Sequence, residues 1–266
     1  MNTKPGSTPA APQSGRRPYR SPLRQARARR TRARILEAAT RAFRAQGYAG
    51  TTVAAVAAAA EVSVAAVELA FPTKPDLLKA AIDVAIAGDD EPMPVLERPW
   101  AASARAAPDA TAFLDVVATV LVPAAERSDA LVLAALEGAR SDDRLGPLAA
   151  QLSAQRAVTA GWIVDGLTEK TPLRAGLDHP EAVDIVWLLM DPAVFERLTT
   201  ARHWPPGRFG RFFADGVLRL LAEPVPAGQA EEGQRAGLPR PPAPSAPRRG
   251  SGRPASRRAR PGDHGT

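Results

Sequence analysis

Three side chains suited to holding anionic oxygen stand within one short stretch: the hydroxyls of Thr52 and Ser63 and the ammonium of Lys74. A hydroxyl at the start of a helix, together with the free N–H groups there, donates to phosphate oxygens, and a lysine adds a point charge. A second set lies just upstream. Residues 1–34 carry ten Lys/Arg and no acid, among them Arg27, Arg29, Arg30 and Arg32. Such arms bind polyanions by counterion release without reading sequence, and equally serve as solvated flanks. Other chemistry is poorly supplied. Cysteine is absent, which removes disulfides, zinc–thiolate sites and cysteine nucleophiles. His179, His203 and His264 are scattered, and no HExxH, GxSxG, phosphate-cradling glycine loop or paired carboxylates occur. We expect no enzyme, no cofactor and no metal site.

The elements that position these groups read as helices. Residues 1–26 and 224–266 are rich in Pro, Gly, Ser and Arg without apolar period, and we expect them to be disordered. The second tail carries eight Arg against three acids, and reads either as another sequence-blind polyanion contact or as an inert flank. Across residues 35–223, 17 basic residues face 25 acidic ones, so the net charge of +7 resides in the ends of the chain. A first helix spans about Arg29–Gln46, with Ile35, Leu36, Ala39 and Phe43 on one face and Gly47 as its left-handed cap. Thr51 or Thr52 caps a short helix to Ala59. After Ala60-Glu61-Val62, Ser63 caps a third helix ending near Phe71. Thr73 and Asp76 have capping-box spacing around Pro75 and open a fourth, to about Ala87. A Pro-containing stretch, Glu91–Pro108, separates this unit from helices expected at 109–126, 128–140, 145–166, 180–190, 192–201 and 206–222. No alternating strand pattern competes.

Two short helices around a tight turn occur in any helical bundle, but here a cationic helix precedes them and a lysine follows. The residues Ile35-Leu36-Glu37-Ala38-Ala39, Phe43, Gly47-Tyr48, Thr51-Thr52, Val56-Ala57, Val62-Ser63, Phe71, Thr73-Lys74 and Leu77-Leu78 resemble, without a gap, the N-terminal domain of TetR-family transcriptional regulators. The resemblance implies an all-α fold: an N-terminal three-helix helix-turn-helix domain (27–90) joined to a larger C-terminal helical bundle (109–223), about nine to ten helices in total. It further implies double-stranded DNA as partner, a homodimer, a possible small-molecule effector, and a cytoplasmic, nucleoid-associated protein without membrane contact. By position, Thr52 and Lys74 would touch phosphates. Ser63, Val64, Ala65 and Ala66 would face the major groove, and Ala70 would lie near the backbone.

The sequence departs from that family at its reading helix. Gly-Thr-Leu-Tyr is common there, whereas this chain has Ala65-Ala66-Val67-Glu68. A tyrosine donates a hydrogen bond to phosphate, while Glu68 brings a like charge, a repulsion on the order of 1 kcal/mol at about 4 Å in water. No Lys or Arg occurs between Ala45 and Thr73, so an arginine fork on guanine is not available. Affinity is therefore expected to lean on Arg27, Arg29, Arg30 and Arg32. In the C-terminal half, Leu131, Leu133, Leu136, Trp162 and Trp187 could line an effector pocket, along with Ile163, Leu188, Leu189 and Met190. Phe195, Leu198, Phe209, Phe212, Phe213, Leu218 and Leu221 could supply a dimer interface. Two readings follow: a homodimeric repressor relieved by a small molecule, or a helical binding protein that lacks specific operator recognition or binds DNA only through its basic tails.

Overall fold

A computed structural model describes residues 22–223; the expectations for 1–21 and 224–266 lie outside the described residues. The described chain holds ten α-helices: α1 (Pro22–Gly50), α2 (Val53–Ala59), α3 (Val64–Ala70), α4 (Lys74–Ala87), α5 (Pro99–Arg105), α6 (Ala110–Gly138), α7 (Gly146–Thr168), α8 (His179–Leu189), α9 (Pro192–Glu196) and α10 (Pro206–Leu221). Among the described residues, extended pairing is limited to a single bridge between Leu173 and Ala222, which ties the loop after α7 to the end of α10.

Most of these boundaries follow from local chemistry. Alanine, leucine and arginine favour helix along α1, and Ile35, Leu36, Ala39 and Phe43 fall on its buried face. Gly47 breaks it at φ +65°, a conformation that any other residue would adopt with strain. Thr73 and Asp76 form the reciprocal capping box at the start of α4, and Gly88 closes its end at φ +88°. Asp178 with Glu181 repeats the box on α8, and Asp191 with Pro192 opens α9.

Three sequence expectations are corrected. α1 begins at Pro22, inside the stretch expected to be disordered. The separator 91–108 contains α5, whose Pro99 sits in the first turn and whose Ala101 and Ala104 are buried. The helices expected at 109–126 and 128–140 are one, α6, which runs through Pro123 and the polar run Glu126-Arg127-Ser128-Asp129. That run is not a break because Arg127 and Ser128 find partners within the fold. Arg127 donates to the carbonyls of Ala85 (2.8 Å) and Ile86 (3.3 Å) at the end of α4, and Ser128 donates to the Ala124 carbonyl.

Two apolar clusters form the interior. The first joins α1–α4 to Leu131, Val132 and Ala135 of α6 and to Leu145, Leu148 and Leu152, so the first four helices close their core on the second half. The second is made by α6, α7, α8 and α10 around Phe113, Ile163, Val186, Phe209 and Phe213. Gly166 lets α7 approach Phe113 closely; a Cβ there would overlap the ring.

Candidate nucleic-acid interface and ligand cavity

The axes of α2 and α3 are bent by 106° across a four-residue break, the geometry of a helix-turn-helix corner. Thr52 Oγ1 accepts the Ala55 N–H at 3.1 Å and Ser63 Oγ accepts the Ala66 N–H at 3.2 Å, so each hydroxyl satisfies a helix start. Thr51 is the buried member of its pair and donates to the Gly47 carbonyl at 2.8 Å. Within the turn, Glu61 adopts φ +51°, a left-handed conformation that costs a non-glycine residue on the order of 1 kcal/mol. Arg34 holds it there, donating to the Ala60 and Glu61 carbonyls and, at 2.9 Å, to the Glu61 carboxylate. Val56, Ala57 and Val67 bury the inner face.

The outer face of α3 carries the exposed side chains of Val64, Ala65, Glu68 and Leu69. Leu69 is 89% exposed, and sequence reading passed over it because it lies off the inward period set by Val67. Thr52 and Ser63 are also exposed, whereas Ala66 and Ala70 are half-buried. Lys74, expected at a phosphate, packs on an aromatic ring. Its ammonium lies 4.0 Å from the centroid of Tyr48, and desolvation lowers its pKa. The arginines divide as well. Arg27, Arg29 and Arg30 are exposed on the first turns of α1, while Arg32 pairs with Asp90 at 2.8 Å and lies 4.6 Å over the Phe71 ring. Arg32 is therefore tied to the fold by two contacts, whereas Arg27, Arg29 and Arg30 are exposed.

A cavity of about 980 Å³ lies between the C-terminal half of α4, the loop after it, α6, α7 and the start of α9. Of the positions expected at an effector pocket, Leu136 and Trp187 line this cavity, with Ile163 and Met190. Three other expected positions lie elsewhere. Leu131 is buried in the first apolar cluster, Leu133 borders a smaller hollow, and Trp162 packs edge-on against Trp100 at 5.2 Å. Leu188 is exposed, and Leu189 packs against the second cluster. The cavity's polar groups escaped the sequence reading. Arg156 pairs with Asp191 at 2.9 Å and stacks 3.9 Å over Trp187. Its Nε and the Nε1 of Trp100 are buried without hydrogen-bond partners among the described residues. Asp129 faces the same space, and burial pushes its carboxyl up to about 7; Ser128 and Arg156 oppose the shift and Asp191 adds to it.

The residues expected at a dimer interface also separate. Phe195, Phe209, Phe213 and Leu221 are buried in the chain's own core and offer no surface, because they form the inward stripe of α9 and α10. Leu198, Phe212 and Leu218 remain half-exposed, near the more exposed Leu188 and Leu220 in sequence.

Residues 35–81 match the family model described as bacterial regulatory proteins, tetR family. No curated protein matches the chain by sequence. Solved structures match it in fold. FadR from Bacillus subtilis, a transcriptional regulator in complex with stearoyl-CoA, is 16% identical with a TM-score of 0.56; the match covers 71% of this chain and 98% of FadR. The fatty acid degradation regulator FadR from Bacillus halodurans is 16% identical (TM-score 0.54), covering 70% and 97%. A transcriptional regulator from Rhodococcus sp. Rha1 is also 16% identical (TM-score 0.51), covering 73% and 99%.

Proposed function

We propose that this chain, whose residues 35–81 match the model of the tetR family of bacterial regulatory proteins, is a DNA-binding transcriptional regulator: a homodimeric repressor released by a small molecule bound in the 980 Å³ cavity. The observation that carries the DNA half is the α2–α3 corner, whose second helix presents Val64, Ala65, Glu68 and Leu69 outward with both helix starts capped by exposed hydroxyls. Val64 and Leu69 suit thymine methyl groups, and Glu68 suits a cytosine amino group. The effector half draws on one helix. α4 begins at Lys74 beside the corner and ends among the cavity walls, with Asp83, Val84, Ile86 and Ala87 lining it. An occupant therefore touches the helix on which the corner is mounted, and release follows if that contact is stronger in the conformation that does not fit DNA. Leu188, Leu220, Leu218 and Phe212 are the apolar surface for a second copy.

Binding to the chain's own upstream intergenic DNA and to random duplex, compared across a salt series, tests this reading. An operator should bind about 10³-fold or more tighter than random duplex. A ratio near one favours the second reading, sequence-blind binding through basic segments, for which the exposed Glu68 and the packed Lys74 argue. Replacing Arg27, Arg29 and Arg30 by alanine should lower the salt slope by roughly 0.9 for each phosphate no longer neutralised. An unchanged slope removes the arm from the interface.

A further inference from the structure

The cavity carries an imbalance of charge. Most acids along its wall are already answered: Asp83 by Lys79 at 2.6 Å, Asp89 by Arg98 at 2.7 Å, Asp90 by Arg32 at 2.8 Å and Asp191 by Arg156 at 2.9 Å. Glu91 is exposed on the loop after α4. Asp129, on α6, makes no ion pair among the described residues. Arg156 is the one cation among the described residues lining the cavity, and it is committed, its guanidinium to Asp191 and its face to Trp187. Asp129 also borders the smaller hollow, where Arg44 and Arg197 stand among Glu126, Glu137 and Glu196. Arg44 donates there to the Glu126 carbonyl at 3.3 Å.

What is left is one carboxylate with no ion pair among the described residues, only partly offset by the charge of Arg156, in a largely apolar space, plus two buried donors without acceptors among those residues, Arg156 Nε and Trp100 Nε1. A neutral occupant would enclose the Asp129 charge, or force it to take a proton. A cationic occupant would answer it in a medium where attraction is stronger than in water. We propose that the cavity takes a monocationic amphiphile, an amine or quaternary ammonium on an apolar body with one hydrogen-bond acceptor, its positive charge set against Asp129 and its acceptor toward Arg156 and Trp100. This rests on the cavity being a ligand site, but its test needs no DNA.

Because burial holds Asp129 protonated up to about pH 7, such a ligand binds more tightly at pH 8 than at pH 5.5. Decyltrimethylammonium, decanol and decanoate share a chain length but not a charge. Their affinities for the full-length protein can be read by calorimetry and by tryptophan fluorescence, to which Trp187 and Trp100 contribute from the cavity wall, at both pH values and below micelle-forming concentrations. The trimethylammonium probe should bind at least about tenfold tighter than decanol at pH 8, and lose about tenfold or more at pH 5.5. Asp129→Asn, close in shape to the protonated acid, should erase both the preference and the pH dependence while still binding decanol. Decanoate binding as well as the cation, or a preference that survives in Asp129→Asn, overturns the charge class and leaves the cavity reading intact. No binding of any probe overturns both.

Discussion

In the α2–α3 corner the side chains that shape the backbone reach partners three or four residues away: Thr51 to Gly47, Thr52 to Ala55, Ser63 to Ala66 and Thr73 to Asp76. Arg34 is the exception, reaching 27 residues to Glu61. Around the cavity some pairs are local, such as Asp83 with Lys79, but others reach across the chain. Arg156 meets Asp191, Arg127 meets the end of α4 42 residues back, and Arg32 meets Asp90 58 residues on. The corner is thus specified by its own sequence, while the cavity exists only once helices far apart in sequence have assembled. The difference assigns each region a distinct vulnerability, which substitutions can expose.

The largest effects should come from the two apolar clusters. Phe43→Ala and Phe113→Ala should each cost about 3–5 kcal/mol in denaturant unfolding, since both rings are fully buried. Because the first cluster spans both halves, each variant should still unfold in one transition. Two transitions, only one of them moved by Phe43→Ala, would break the comparison by making the corner's domain self-sufficient.

Next comes the buried acid. The pKa of Asp129 is raised in the fold from 3.8 to about 7, so its contribution to stability is greatest at low pH and is lost as pH rises through 7. Asp129→Asn should therefore be the more stable protein at pH 8, by up to about 4 kcal/mol, with the gap shrinking toward pH 5. Thermal melts across that range check it; a gap independent of pH would place the carboxyl in water.

Gly166→Ala should cost about 1–3 kcal/mol, because its methyl group meets the Phe113 ring and one of α7 or Phe113 must shift. Cavity binding should weaken with it and the corner's DNA affinity should not; the reverse pattern would erase the distinction between the two regions. Smallest is Glu68→Gln, which removes one like charge from the exposed face of α3 and should tighten DNA binding by about 1 kcal/mol or less. Weaker binding at cytosine-containing sites would instead assign Glu68 to base readout.

Legibility in the sequence follows the same division. Gly47, Thr52, Ser63, the Thr73–Asp76 box and Asp191-Pro192 are local signals, and the helices begin or end where these residues put them. The run Glu126–Asp129 read as a break because its polarity is visible locally, whereas Arg127's partners, the carbonyls of Ala85 and Ile86, are not. Apolar spacing marked Phe209, Phe213 and Leu221 as important without telling a core face from an interface; the fold turned them inward. Asp129 and Arg156 carried no sequence signal, since a charge inside a helical pattern looks solvated until another helix covers it.

The alanines of the corner have a thermodynamic consequence. α2 and α3 together present Ala54, Ala55, Ala58, Ala59 and Ala65 to solvent, side chains with no rotamers to freeze. A surface that closes on them immobilises little beyond Leu69, Glu68 and Val64, so the entropic cost of ordering falls on the partner and on the arginines of α1. Recognition by such a helix is a matter of fit between rigid shapes, and its heat and entropy of association should be set chiefly by displaced water and released ions.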